Sequence, residues 1–284
     1  MLKKIFFAAA LLLASELIAK PVVIASIAPV EYLAKAVGGD KIEVQSLAKG
    51  DVHSFEPKPN DMKAVTKARI FIAAGLEFEE AWIPRFKASA KNLVVVKSDA
   101  KIAKLKEERS EQVEHDEKHE AHADPHVWLN PMLAITMARN ISDALIDMDK
   151  ANKDFYLENF QKLMNDLLAF DESAKKELAG IKNRKFVVYH PAWGYFAAHY
   201  DLEQISIERS GKEPKIDEMA STLKMIKDEN IKVIFADPNR SQKSAQILAS
   251  QTGAKVELLD PLGYNLLENL KIAVGAIKDA NSPK

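Results

Sequence analysis

The sequence predicts an α/β fold of two lobes, each with a mainly parallel sheet flanked by helices, joined by one long rigid helix. Three observations carry this. Short apolar runs without alternation recur between amphipathic stretches, the pattern of strands buried on both faces of a parallel sheet. The rhythm occurs twice, in two blocks of similar size. Between the blocks, residues 149–180 contain no proline, and their single glycine is the last residue.

In chain order, "VVIASIA" (22–28) reads as a buried strand and "VEYLAKAVGG" (30–39) as a helix closed by glycines. "KIEVQSLA" (41–48) reads as a strand, and "NDMKAVTKA" (60–68) as a helix with Asn60 as its N-cap. "RIFIAAG" (69–75) and "NLVVVKS" (92–98) complete the first set of strands. In the second block, strands are predicted at 185–190, 202–208, 232–238 and 255–260, and helices at 214–230, 241–251 and 265–280. In the connecting stretch, Tyr156, Phe160, Leu163, Met164, Leu167 and Leu168 share one helical face. About 30 residues at ~1.5 Å each make a rod of roughly 45 Å, a strut that resists wide hinge closure. The predicted organisation is a leader at 1–19, a first lobe at 20–148, a connecting helix at 149–181 and a second lobe at 182–284.

The first residues, "MLKKIFFAAALLLASELIAKP", combine Lys3 and Lys4 with an apolar run from Ile5 to Ala14. That run falls short of the roughly 20 residues a membrane span needs, so it reads as a secretory signal peptide cleaved after Ala19. No later segment is apolar enough to span. The chain contains no cysteine, so it has neither disulfides nor the lipobox cysteine of a bacterial lipoprotein. A soluble, monomeric periplasmic protein without a lipid anchor is expected. The formal net charge of −1 offers no basic stripe and argues against nucleic acid as a partner.

No signature of a hydrolase, a nucleotide-binding loop or a zinc protease is present. "HEAH" (119–122) spaces its histidines three apart and runs into Pro125. The seven histidines are the distinctive feature. His53 lies in "KGDVHSFEPKPND", a loop loosened by Gly50 and stiffened by Pro57 and Pro59. His126 sits between Asp124-Pro125 and Asn130-Pro131. His190 and Asp260 each end a predicted parallel strand and are each followed at once by proline. The carboxyl edge of such sheets is where ligands bind. Three imidazoles and one carboxylate, two donors per block, suit a borderline divalent cation such as Zn²⁺, which takes them tetrahedrally; Mn²⁺ would favour more oxygen donors.

"GDVHSFEPKP", "DPHVWLNP", "YHPAWGYF" and "LLDPLGYN" resemble, in this order, four signature segments of the cluster A-I metal-binding receptors. These are the substrate-binding proteins of zinc and manganese ABC importers, and the resemblance covers nearly all of the chain after its leader. It implies two α/β lobes joined by a long helix, with the metal in the cleft between them. Its ligands would be His53, His126, His190 and Asp260, and histidine rather than glutamate at 190 favours zinc. It also implies an inner-membrane permease as partner and Zn²⁺ as transported ligand, without catalysis. Asp237 stands where family members often have glutamate, orienting a ligand or contacting a loop. Some Gram-negative zinc relatives carry a cysteine pair in the second lobe, which this chain lacks.

Zinc members of the family often carry a flexible acidic, His-rich insertion before the second ligand, and "KEERSEQVEHDEKHEAHAD" (106–124) resembles one. Its acidic composition predicts disorder, and His115, His119 and His122 are candidate weak accessory ligands. Trp128, Trp193, Tyr195 and Phe196 are expected to wall the site. Glu56 and Asp61 are candidate partners for His53, and His199 is expected to be structural. Free imidazoles near pKa 6.5 predict that affinity falls as pH drops toward that value. Rival readings are the same receptor loaded with manganese, iron or copper, a zinc hydrolase with an open coordination position, and an adhesin-like role for the lobes.

Overall fold

The computed structural model describes residues 19–106, 123–208 and 216–281. The leader up to residue 18 and the histidines at 115, 119 and 122 lie outside the described residues. The first sheet contains β1 (Val22–Ala25), β2 (Glu43–Ser46), β3 (Ile70–Ala73) and β4 (Val94–Lys97), all parallel, in the order β2-β1-β3-β4. The second contains β5 (Lys185–Val188), β6 (Glu203–Ser206), β7 (Val233–Ala236) and β8 (Lys255–Leu258), again parallel, in the equivalent order β6-β5-β7-β8. Each sheet therefore reverses its winding direction beside its first strand, the switch point where open α/β sheets leave a crevice at their carboxyl edge.

Burial follows position in the sheet. β3 and β7 are buried along their whole length, as a central strand covered on both faces must be. The outer strands β4 and β8 expose Val94 and Leu258 by half, so a run of valines does not by itself mark a buried strand. Strands are also shorter than the apolar runs. The run from 22 stops at Ala25, because Ile27 becomes the N-cap of helix α1 (Ala28–Gly38), with Pro29 in the first turn.

Helix α2 (Pro59–Val65) starts one residue before the predicted cap: Lys58 is the N-cap, and Asn60 lies inside the first turn. The Asp61 carboxylate accepts the Lys58 N–H at 2.7 Å and so closes the helix end. Two helices are absent from the sequence expectation. In α3 (Glu77–Ser89), Pro84 sits in the interior and obscures the periodicity. α4 (Pro131–Met148) begins at Asn130, whose side chain accepts the N–H groups of Met132 and Leu133.

The connecting helix α5 runs Lys153–Leu178, preceded by a 3-10 turn at Lys150–Asn152. At 26 residues it is roughly 39 Å long. Its buried stripe is Tyr156, Phe160, Leu163, Leu167, Phe170, Ala174 and Leu178. Leu168 departs from the expected face: it lies a further ~100° round the helix from Leu167 and is 41 % exposed. In the second lobe follow α6 (Gly194–His199), α7 (Ile216–Asp228), α8 (Lys243–Thr252) and α9 (Leu266–Asn281). α5 packs on α1 and α4 of the first lobe and on α9 of the second. One apolar cluster consequently runs through both lobes, and a smaller one fills the far side of the second sheet. With its stripe committed to both lobes, α5 acts as a strut in a shared core. Leu167→Ala should destabilise the protein by about 2–5 kcal/mol and Leu168→Ala by no more than about 0.5 kcal/mol, both read from urea denaturation midpoints.

Candidate metal centre

Three of the four predicted donors meet at one point. His53 lies in the loop that leaves the carboxyl end of β2, and its backbone N–H is held by Asp51 Oδ1 at 3.2 Å. Gly50 turns that loop with φ +78°, a conformation a side chain would strain. His126 precedes a 3-10 turn at Val127–Leu129, and His190 lies two residues past the end of β5. The Nε2 atoms of His53 and His190 are 3.2 Å apart, and those of His190 and His126 are 3.4 Å apart. The ring centroids of the three lie 4.9–5.4 Å from one another. All three ligand nitrogens fall within 4.8 Å of one another, the one such group of metal-ligating side chains among the described residues. Two nitrogens bound to a tetrahedral Zn²⁺ at ~2.0–2.1 Å stand about 3.3–3.4 Å apart. The observed spacings are those of a zinc-sized ion.

Carboxylates hold the opposite sides of two rings. Asp124 Oδ1 accepts both the backbone N–H of His126, at 2.9 Å, and its Nδ1–H, at 2.8 Å. That fixes the tautomer that leaves Nε2 bare for a metal. The residue before Pro125 thus both stiffens the backbone and aims the ring. His190 Nδ1 lies 3.2 Å from Glu208 Oε2 and 3.0 Å from Arg240 Nη1, while Arg240 Nη2 donates to Glu208 Oε1 at 2.9 Å. Glu208 is almost wholly buried. Neither Glu208 nor Arg240 stands out in the sequence. Glu208 ends a predicted strand that already holds Glu203 and is followed at once by Arg209, and Arg240 lies in a polar turn, "DPNRS". A buried carboxylate at the carboxyl end of a parallel strand is the available signal.

Asp260 lies outside the group whose ligand atoms fall within 4.8 Å of one another. Its Oδ1 accepts from Asn239 Nδ2 at 2.8 Å and from the Leu262 N–H at 2.9 Å. Asp237 Oδ1 accepts the Asn239 N–H at 2.7 Å, and burial, with Asp260 close by, raises its carboxyl above the usual range. Asp237 therefore braces the Asn239 turn that grips Asp260.

The aromatic residues divide. Trp128 is fully buried and its ring centroid lies 5.3 Å from that of His126. Its indole N–H donates to the Pro261 carbonyl at 2.7 Å. Tyr195 Oη donates to the Asp124 carbonyl and accepts the Leu105 N–H, both at 2.8 Å. Trp193 and Phe196 pack edge-to-face on one another. His199 pairs with Asp171 of α5 at 2.6 Å, tying α6 to the strut. His126 comes from the first lobe by sequence, yet Trp128 and Tyr195 fasten its turn to the second.

Burial governs protonation. Desolvation first, then the neighbouring His126 and Arg240, lowers the His53 pKa to about 4. His190 lies well below its ordinary value, from burial and then from His126, His53 and Arg240. Both rings are neutral at pH 7 and offer lone pairs. Proton competition at these two rings therefore sets in well below the value near 6.5 expected for free imidazoles.

The family described as zinc-uptake complex component A, periplasmic (ZnuA), matches residues 23–280. The "High-affinity zinc uptake system protein ZnuA" of Bacillus subtilis (strain 168) is 30 % identical over 277 residues, covering 91 % of this chain and 86 % of that protein. A crystal structure of ZnuA superposes with a TM-score of 0.86 at 33 % identity, over 93 % of this chain and all of that one. The laminin-binding protein Lmb of Streptococcus agalactiae, described as bifunctional with adhesin and metal-transporting activity, gives a TM-score of 0.81 at 27 % identity, over 93 % of this chain and all of that one.

Removing a carboxylate behind a ligand should loosen the site. Asp124→Asn and Glu208→Gln should each weaken zinc binding by about 10–100-fold in chelator competition. The protein without metal should lose stability as pH falls from about 6.5 towards 4. In that window the unfolded state binds a proton at His53 that the folded state refuses. The contribution is at most ~3 kcal/mol, less for the solvent that reaches this partly exposed ring. His53→Gln should flatten the slope of unfolding free energy against pH.

Proposed function

We propose, from the premise that this chain belongs to the ZnuA family of periplasmic zinc-uptake components, that His53, His126, His190 and Asp260 are the ligands by which it holds Zn²⁺. The chain is a zinc-binding substrate-binding protein of an ABC importer, and the Zn²⁺ it carries is cargo. The observation that carries the ligand assignment is the pair of 3.2 and 3.4 Å spacings between imidazole nitrogens, the length of a zinc tetrahedron's edge. Three nitrogen donors suit zinc better than manganese. Asp260 supplies the fourth bond once its side chain swings off the Asn239 turn, which closes the sphere. Asp124 and Glu208, which support the ligands, approach from the Nδ1 sides, away from the metal face. They orient ligands and are not placed to activate water, which favours a carrier over a hydrolase.

The protein acts as a monomer cut after Ala19, free of a lipid anchor, and passes the ion to a membrane permease. No helix among the described residues is long and apolar enough to cross a membrane. His115, His119 and His122 serve as weak accessory ligands that collect zinc near the cleft. Competition titration of the metal-free protein should show one tight zinc equivalent, bound far more tightly than Mn²⁺. Each of His53→Ala, His126→Ala and His190→Ala should weaken it by at least a hundredfold, and Asp260→Ala by at least tenfold. Deleting 106–121 should remove only weaker equivalents. Tight binding that survived loss of any one imidazole would refute the ligand assignment.

A further inference from the structure

We propose that Arg240 is a positioning residue that latches the His53 loop across the cleft when the ion is bound, by moving one guanidinium nitrogen from His190 to Asp51. The inference rests on the zinc-carrier reading above. The site has unequal edges. His190 follows a central strand, and His126 is fastened to the second lobe through Trp128 and Tyr195. The loop bearing His53 is different. The hydrogen bonding of residues 49–57 is local: the His53 N–H is accepted by Asp51 in the same loop, residues 53–54 form a turn, and no backbone N–H of the loop is bonded to a strand or helix among the described residues. Val52 and Phe55 anchor the loop to the first lobe. Its outer face borders a cavity of about 780 Å³, space into which it can swing.

Arg240 is the one cation the described residues place against this loop from the opposite lobe, with Nη1 4.0 Å from Asp51 Oδ1. The same Nη1 lies 3.0 Å from His190 Nδ1, and Nη2 is fixed on Glu208. Chemistry makes the two contacts of Nη1 exclusive. To bind a metal through Nε2, His190 must carry its proton on Nδ1, and Glu208 Oε2 at 3.2 Å accepts it. An Nδ1–H cannot accept from Arg240. The guanidinium, still held to Glu208 through Nη2, then turns Nη1 to Asp51, two residues from His53. Metal at the ligand face is thereby reported on the far side of the His190 ring and converted into a clamp on the one loosely held ligand.

The test uses Asp51→Asn, Arg240→Lys and the double variant in the full mature chain, loaded with Zn²⁺ alone. Asp51→Asn keeps one oxygen to accept the His53 N–H and sets an NH2 beside the Ser54 hydroxyl, which can turn to accept it, but loses the charge. Arg240→Lys keeps a cation beside Glu208 but cannot reach both partners. Stopped-flow release into excess chelator should be at least tenfold faster in each single variant. Association should stay within twofold of the parent, and the double variant should be no faster than the faster single, because both sever one contact. Release within twofold of the parent in Asp51→Asn, or single effects that multiply, would overturn the latch. A parent that takes up no zinc would instead overturn the functional reading on which it rests.

Discussion

Three imidazoles must point bare nitrogens at one spot while packed in apolar surroundings, and the rest of the molecule answers to that demand. Burial and the neighbouring charges disfavour the charged forms of His53 and His190. A ring that offers Nε2 to a metal has its Nδ1–H to place. Asp124 takes that of His126, and Glu208 stands ready for that of His190. The carboxylates need burial of their own, which the carboxyl ends of the strands and the Asp124-Pro125 turn supply.

The same demand explains how the lobes are joined. A site assembled from three separate segments holds its geometry only if those segments cannot drift by more than fractions of an ångström. The strut α5 shares its apolar stripe with α1, α4 and α9, and the core runs unbroken past it. The Trp128 indole and the Tyr195 hydroxyl cross from one lobe to the other beside His126. The segments of two ligands are thereby fixed in one body, and freedom is left to the loop of the third.

Much of the architecture is legible in the sequence. Apolar runs locate all eight strands within two or three residues, because parallel strands buried on both faces carry an unmistakable composition. Prolines mark where His190 and Asp260 leave their strands. What the sequence hides has physical causes. Pro84 masks α3, and the polar turn around Asn130 conceals the start of α4. Leu168 reads as part of the buried face because neighbouring leucines look alike in sequence, whereas a helix separates them by ~100°. Asn60 and Asp61 have side chains suited equally to a cap and to a ligand shell. Only the backbone path shows that Lys58 is the cap and Asp61 its partner.

By itself the sequence determined the inventory: two α/β blocks, a long apolar-striped helix, and donors whose backbone positions are stiffened by adjacent prolines. Those are local properties, written in composition and spacing. Tertiary structure alone decided that three imidazoles converge with His190 a zinc tetrahedron's edge from each of the others, that Asp260 rests on Asn239, and that Glu208 and Arg240 complete the His190 side. It also decided that His126, encoded in the first lobe, is bonded to the second. Such facts depend on how separate chain segments approach through a common core, and no periodicity along the chain encodes a distance between segments far apart in it.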